Sequence, residues 1–220
     1  MNKISALLLA LLLALPSALR GQQVQELQRS QSPFVFPEFK EAKILQPFGR
    51  FVKAQANIFY NGATLVYKDE EGKIRKAFLK NILGVEFDSL KYAKVDSMRA
   101  RVVMEKGYNR LVCVTQIDMA RYERETRGGD NLPFFEIDLV GSHFFADLDN
   151  AEKREEDQYF PLQDKYYFIC RGEVVPAVER EIKKRVRPDM KEAFKRLMHD
   201  PFWSWKDERS LKMLLEFLSE

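Results

Sequence analysis

Strict alternation of apolar and polar residues predicts β-strands through the middle of the chain. Between residues 52 and 60 every second residue is apolar, and Asn61-Gly62 follows. Asn-Gly between two alternating segments is the strongest short signal for a two-residue hairpin turn. That turn predicts that Ile58 pairs with Leu65, which places the apolar set of both strands on one face.

Three more hairpins are predicted around turns that contain glycine. In the first, Lys106-Gly107 joins two segments, and a two-residue loop places Ala100 opposite Cys113. Arg99 and Arg101 belong to the polar set that alternates with Met98, Ala100, Val102 and Met104. The other two turn at Gly141-Ser142, within 134–148, and at Arg171-Gly172, within 166–175.

The apolar period changes from two to 3.6 residues near Pro176. Apolar residues then recur at helical spacing around Phe194 and again around Leu214, with Pro188 and Pro201 as interruptions. A short helix with Asp118 as its N-cap is also predicted before the glycines at 128–129. The predicted fold class is α+β: mostly antiparallel hairpins over about 43–175, then three C-terminal helices over about 176–220 that cover a face or edge of the sheet.

Residues 1–21 have the pattern of a cleavable signal peptide. Lys3 supplies a positive charge, and residues 6–15 form an unbroken apolar run of ten. Ten helical residues are about 15 Å long, half of a roughly 30 Å bilayer core, so the run is too short for a transmembrane helix. We expect export to the periplasm, the cell surface or the extracellular space. The mature chain is predicted to hold a flexible, Gln- and Ser-rich lead-in, 22–37, and a single domain, 38–220.

Composition supports a globular exported protein without a nucleic-acid partner. Apolar residues make up 45% of the chain. Removing Lys3 and Arg20 with the signal peptide lowers the formal net charge from +3 to about +1, which gives no electrostatic basis for nucleic-acid binding. No transmembrane segment is predicted after cleavage, and no cofactor motif is present.

Both ends of the mature chain resemble exported proteins of the Bacteroidota. One feature is the Gln-rich start after the signal peptide, and the other is the closing stretch Trp205-Lys206-Asp207-Glu208 with the leucine pairs that follow it. The resemblance covers about the last third of the chain and has no family name attached. It implies an exported bacterial protein and no particular activity.

One acidic cluster is not explained by simple alternation. The hairpin at Gly141-Ser142 puts Glu136 opposite Asp147, with Asp149 on the same face. Like charges across a strand pair repel, so solvent, basic side chains or a bound cation must relieve them. Residues 147–152 faintly resemble a calcium loop but lack its glycine and its closing glutamate. A solvated polar face is the simpler interpretation, and Glu136, Asp147 and Asp149 are the candidate metal ligands.

Cys113 and Cys170 are the only two cysteines of the chain. Export places them in a compartment that permits a disulfide, which would close a loop of about 57 residues and add roughly 4 kcal/mol. Both also stand in apolar strand contexts, where a thiol acts as a small buried residue. The sequence leaves the two alternatives open and favours separate thiols slightly.

Two functions from different classes fit these patterns. The leading hypothesis is a non-enzymatic module that binds an envelope protein or a glycan, because no catalytic motif is present. The alternative is an envelope hydrolase acting on glycan, with Glu136 and Asp147 as a carboxylate pair. Glycosidases hold two carboxyl groups about 5–5.5 Å apart for retention or about 6.5–9.5 Å apart for inversion, and a cross-strand pair can meet the shorter distance.

Expression with the native leader tests the signal peptide. We expect the mature protein to begin near Gln22, within about three residues, because the apolar run has signal-peptide length. N-terminal sequencing of the protein from the exported fraction measures this. An intact Met1 on membrane-bound protein would contradict the interpretation.

Overall fold

A single antiparallel sheet dominates the structure, a computed structural model that describes residues 28–77, 79–126 and 159–218. Within these ranges the sheet has eleven strands. They are β1 (Arg29–Ser30), β2 (Lys40–Leu45), β3 (Phe51–Phe59), β4 (Thr64–Lys68), β5 (Ile74–Lys76), β6 (Gly84–Phe87), β7 (Leu90–Val95), β8 (Met98–Lys106), β9 (Asn109–Ile117), β10 (Phe160–Cys170) and β11 (Glu173–Pro176). Their spatial order is β1, β10, β9, β8, β7, β6, β2, β3, β4, β5, with β11 also paired to β10.

The fold class predicted from the sequence, α+β with three C-terminal helices, is wrong. The chain forms a half-barrel that is mostly antiparallel β. Its α-helices are short: α1 (Met119–Thr126), α2 (Glu179–Lys183), α3 (Lys191–Met198) and α4 (Glu208–Leu214). Helices of five to eight residues make only one to two turns, so α2–α4 pack on a limited part of the sheet and form no separate layer.

Prolines explain why the helical pattern yields such short elements. Pro176, where the predicted helical region begins, instead ends β11 opposite Tyr167. Pro188 begins a turn of 3-10 helix between α2 and α3, and Pro201 follows the end of α3. A proline lacks the backbone N–H that continues a helix. No helix in the described ranges is long and apolar enough to cross a membrane.

The segment 28–36 connects the two halves of the curled sheet. It begins with β1, which pairs with β10, and continues to Phe34, which bridges to Phe59 of β3. The side chains of Phe34 and Phe36 are 3% and 7% exposed. Within the predicted lead-in 22–37, the side chains of Phe34 and Phe36 therefore pack into the fold.

Two predicted hairpins are confirmed, the first of them also in its predicted register. Ile58 pairs with Leu65 around Asn61-Gly62, and β10 pairs with β11 around Arg171-Gly172. The glycines have φ of 69° and 86°, values that residues with a Cβ rarely adopt.

The hairpin of β8 and β9 differs from the predicted one. Its turn is Gly107-Tyr108 instead of Lys106-Gly107, and β8 carries an irregularity before the turn. The glycine has positive φ as the first turn residue, a position that type II′ turns give to glycine. Cys113 therefore pairs with Arg101 rather than with Ala100, so it lies on the face that the arginines of β8 occupy.

Both faces of the central strands are buried. On one face Ala100 packs with a cluster that includes Val95, Val112 and the turn residue Ala63. On the other face Arg99 is 1% exposed. Burial of both faces removes the solvent-exposed side that an alternating strand usually has.

The C-terminal helices pack on one end of β9 and β10. Leu111 and Phe168 of these strands form a cluster with Ile182, Leu211, Leu214 and other apolar side chains of the C-terminal segment. Leu214 is fully buried in this cluster, whereas its neighbour Met213 is 48% exposed. The cluster therefore joins α4 to the sheet through one helix face.

Alanine substitution of these two neighbours tests that attachment. We expect Leu214→Ala to lower the free energy of unfolding by about 2–5 kcal/mol, because it leaves a cavity in the cluster. Met213→Ala is the matched control, and we expect a change within about 0.5 kcal/mol. Urea titration followed by circular dichroism measures both. Equal effects of the two changes would show that α4 does not pack as described.

Candidate functional site

A cavity of about 250 Å³ lies inside the curl of the sheet. Strands β7 to β10 form one wall, and β3 with the segment 28–36 forms the opposite wall. The first wall presents Tyr92, Arg99, Arg101, Cys113, Thr115, Leu162 and Asp164, with Gln28 beside β10; the opposite wall presents Val35, Ile58 and Tyr60. The cavity thus has polar groups on one side and mainly apolar groups on the other.

Strand register brings the polar residues of this wall together. Arg101 pairs with Cys113, Cys113 pairs with Tyr166, and Thr115 pairs with Asp164. Directly paired residues of an antiparallel sheet project to the same face. Side chains that are distant in the sequence therefore form two adjacent rows along the cavity.

Arg99 is the most unusual residue of the cavity. Its side chain is 1% exposed, and none of its three guanidinium nitrogens has a hydrogen-bond partner in the described part of the protein. Burial lowers the pKa of the guanidinium to about 10, so the group remains charged at neutral pH. A buried charge without a partner costs several kcal/mol, which makes Arg99 a strong site for an anion.

Arg101, two residues along the same strand, is compensated. Its guanidinium donates a hydrogen bond to the carboxylate of Glu208 at 2.8 Å, and the two form an ion pair. Burial opposes the charge on Arg101, but the contact with Glu208 outweighs burial and raises the pKa. The pair ties α4 to the rim of the cavity and leaves Arg99 as the uncompensated cation there.

Asp164 supplies a negative charge to the same cavity. Its carboxylate accepts a hydrogen bond from the Thr115 hydroxyl at 2.5 Å and one from the Gln28 amide at 3.3 Å. Burial, followed by the charge on Asp164, raises the pKa of Tyr60 and raises that of Cys113 to about 12. Both of these groups are therefore neutral at physiological pH.

Cys113 and Arg99 differ in what they can contribute chemically. The Cys113 thiol is protonated at neutral pH, and the protonated form is a poor nucleophile. Arg99, by contrast, offers a planar fork of donors that matches a carboxylate. The cavity can therefore offer hydrogen bonds and charge to a small polar ligand.

The structure does not test the candidate residues of the predicted acidic hairpin. Glu136, Asp147 and Asp149 lie outside the described residues, so the carboxylate pair and the candidate metal site remain predictions. In the described ranges no cluster of three or more His, Cys, Asp or Glu side chains could hold a metal ion.

The two cysteines are separate thiols in the structure. Cys113 pairs with Tyr166, whereas Cys170 pairs with Asn109, four residues away along the same two strands. Four residues of a strand correspond to about 13 Å, and a disulfide needs Cα atoms within about 7 Å.

Sequence analysis missed Arg99 and Asp164 as site residues. Alternation assigned Arg99 to the polar set of its strand, which is the ordinary pattern of a solvent-exposed face. Asp164 stands among polar residues near the start of β10 and has no motif around it. The signal that distinguishes Arg99 is its burial, and the signal for Asp164 is its place beside Arg99 in the lining of the cavity; only the assembled sheet provides either.

Comparison of the chain with protein-family models, curated proteins and solved structures gave no match. The assignment of a function therefore rests on the geometry and charges of the cavity.

Thiol counting tests the separation of the two cysteines. We expect two free thiols per chain in denatured, unreduced protein, because the strand register holds Cys113 and Cys170 too far apart to bond. A reagent such as Ellman's measures the number, with a reduced sample as the control. A count of zero in a monomeric sample would show a disulfide and a different register of β9 and β10.

Proposed function

We propose that this chain is an exported, non-enzymatic binding module whose ligand is a small organic anion held by Arg99 inside the sheet. The observation that carries the proposal is the burial of Arg99 without a hydrogen-bond partner in the described residues. A guanidinium in that state gains most from a carboxylate, which accepts two parallel hydrogen bonds from it.

The charges that line the cavity favour a ligand with a single negative group, held at Arg99. Arg101 is already neutralised by Glu208, which leaves one uncompensated cation at Arg99. Asp164 adds a negative charge to the same space, and a second negative charge on the ligand would be repelled there. A carboxylate fits this balance better than a phosphate, which carries more charge.

The size and the opposite wall of the cavity limit the rest of the ligand. Drug-sized ligands occupy pockets of about 300–1,000 Å³, and this cavity of about 250 Å³ is smaller. Val35 and Ile58 of that wall, together with Leu162 of the first wall, supply apolar surface against a short hydrocarbon group. We therefore propose a short-chain carboxylate, not a polymer, as the class of ligand.

Export is a separate part of the proposal and rests on the sequence of residues 1–21. A module of this kind would act in the periplasm, at the cell surface or outside the cell. The alternative glycan hydrolase depends on Glu136 and Asp147, and nothing in the described ranges favours it.

Substitution of Arg99 tests the binding site. We expect short monocarboxylates at millimolar concentration to raise the melting temperature of the wild-type protein by mass action. Arg99→Met should abolish that response. Without ligand, the variant should be more stable by about 1–3 kcal/mol, since the unsatisfied buried group is gone. Differential scanning fluorimetry and urea titration measure the two effects.

Arg110→Met is the matched control because Arg110 lies on β9 with its side chain 50% exposed. This variant should keep the response to carboxylates. If the Arg99 variant responded as strongly as the wild type, or if no short carboxylate stabilised the wild type, the proposed function would be wrong.

A further inference from the structure

A second uncompensated charge faces the proposed ligand. The Asp164 carboxylate is bonded by two neutral donors, the Thr115 hydroxyl and the Gln28 amide. Within the described part of the chain no basic side chain forms an ion pair with it. An ionised carboxylate has about four acceptor positions, so about two remain for a donor on a ligand.

Arg99 and Asp164 line the same cavity but do not neutralise each other. The two side chains form no salt bridge, and Arg99 has no hydrogen bond to any described group. They belong to β8 and β10, on opposite sides of β9, whose Thr115 pairs with Asp164. Two strand spacings separate β8 from β10 by about 10 Å. The wall therefore presents a positive pole and a negative pole with a gap between them.

We propose that the ligand is a small zwitterion of the amino-acid type, with its carboxylate on Arg99 and its ammonium group on Asp164. This inference rests on the proposed function, because the Arg99 site is the same. A zwitterion satisfies both poles at once, whereas a simple carboxylate satisfies only the first. A neutral ligand would satisfy neither.

The remaining surface selects for a compact aliphatic side chain. Val35, Ile58 and Leu162 provide apolar contacts beside the two poles. A volume of about 250 Å³ equals roughly eight water molecules at about 30 Å³ each. That space holds an amino acid with a short aliphatic side chain and excludes a peptide of several residues.

Matched ligand pairs separate the two poles experimentally. The probes are alanine with propionate, valine with 3-methylbutanoate, and leucine with 4-methylpentanoate, which differ within each pair only by the α-ammonium group. Isothermal titration calorimetry measures each dissociation constant. We expect at least one amino acid to bind the wild-type protein about tenfold or more tighter than its partner, because the ammonium adds a charge-assisted contact.

Asp164→Asn assigns that preference to the negative pole. The asparagine keeps the shape of the side chain and removes its charge, so the amino acid should lose its advantage and bind about as tightly as its partner. Arg99→Met should weaken both members of each pair. The control is Asp88→Asn, because the Asp88 side chain is 78% exposed and lies outside the cavity. This variant should retain the wild-type preference.

The outcomes distinguish this inference from the proposed function. Wild-type protein that binds the carboxylates through Arg99, with no preference for any amino acid, would overturn the zwitterion and leave the anion site intact. A preference that survives Asp164→Asn would also overturn it. Failure of every probe to bind the wild type would overturn both. The wild-type comparison decides the matter even if Asp164→Asn does not fold.

Discussion

The pairing of β9 with both β8 and β10 is the constraint on which the cavity depends. β9 aligns Cys113 with Arg101 on one side and Thr115 with Asp164 on the other. A shift of one residue would turn every side chain of the strand to the opposite face. Thr115 would then face the apolar cluster around Ala100 without a partner, and Asp164 would lose the hydroxyl group that donates to it.

The C-terminal helices take part in the same arrangement through one ion pair. Glu208 at the start of α4 accepts the hydrogen bond of Arg101, while Leu211 and Leu214 of that helix are fully buried against the sheet. The helix contacts therefore position Glu208, and Glu208 neutralises Arg101. Because Glu208 occupies that cation, Arg99 is the unpaired cation among the described residues that line the cavity. The packing of α4 therefore affects the charge of the cavity.

Sequence patterns predicted the features that depend on local chemistry. The hairpin at Asn61-Gly62 has the predicted register, although Asn61–Ala63 form a 3-10 turn and not the expected two-residue turn. The predicted N-cap of α1 is confirmed because Asp118 accepts from the Arg121 N–H at 3.0 Å. The register of β8 and β9 was not predictable in this way. Its irregularity next to Val102 is a property of the assembled sheet. The fold class was wrong because helical spacing indicates helices without showing how short they are.

The burial of Arg99 could not be predicted from the sequence, for a related reason. The wall that covers the cavity includes the segment 28–36, which precedes Arg99 by about sixty residues, and a pattern along one strand contains no information about it. Natural sequences depart from local consistency mainly at functional sites. A large-to-small change at one core leucine costs about 2–5 kcal/mol, and the penalty of one unpaired buried guanidinium is of similar size. The extensive clusters around Leu65 and Leu211 are large enough to offset that penalty, so the fold can hold Arg99 uncompensated until a ligand binds it.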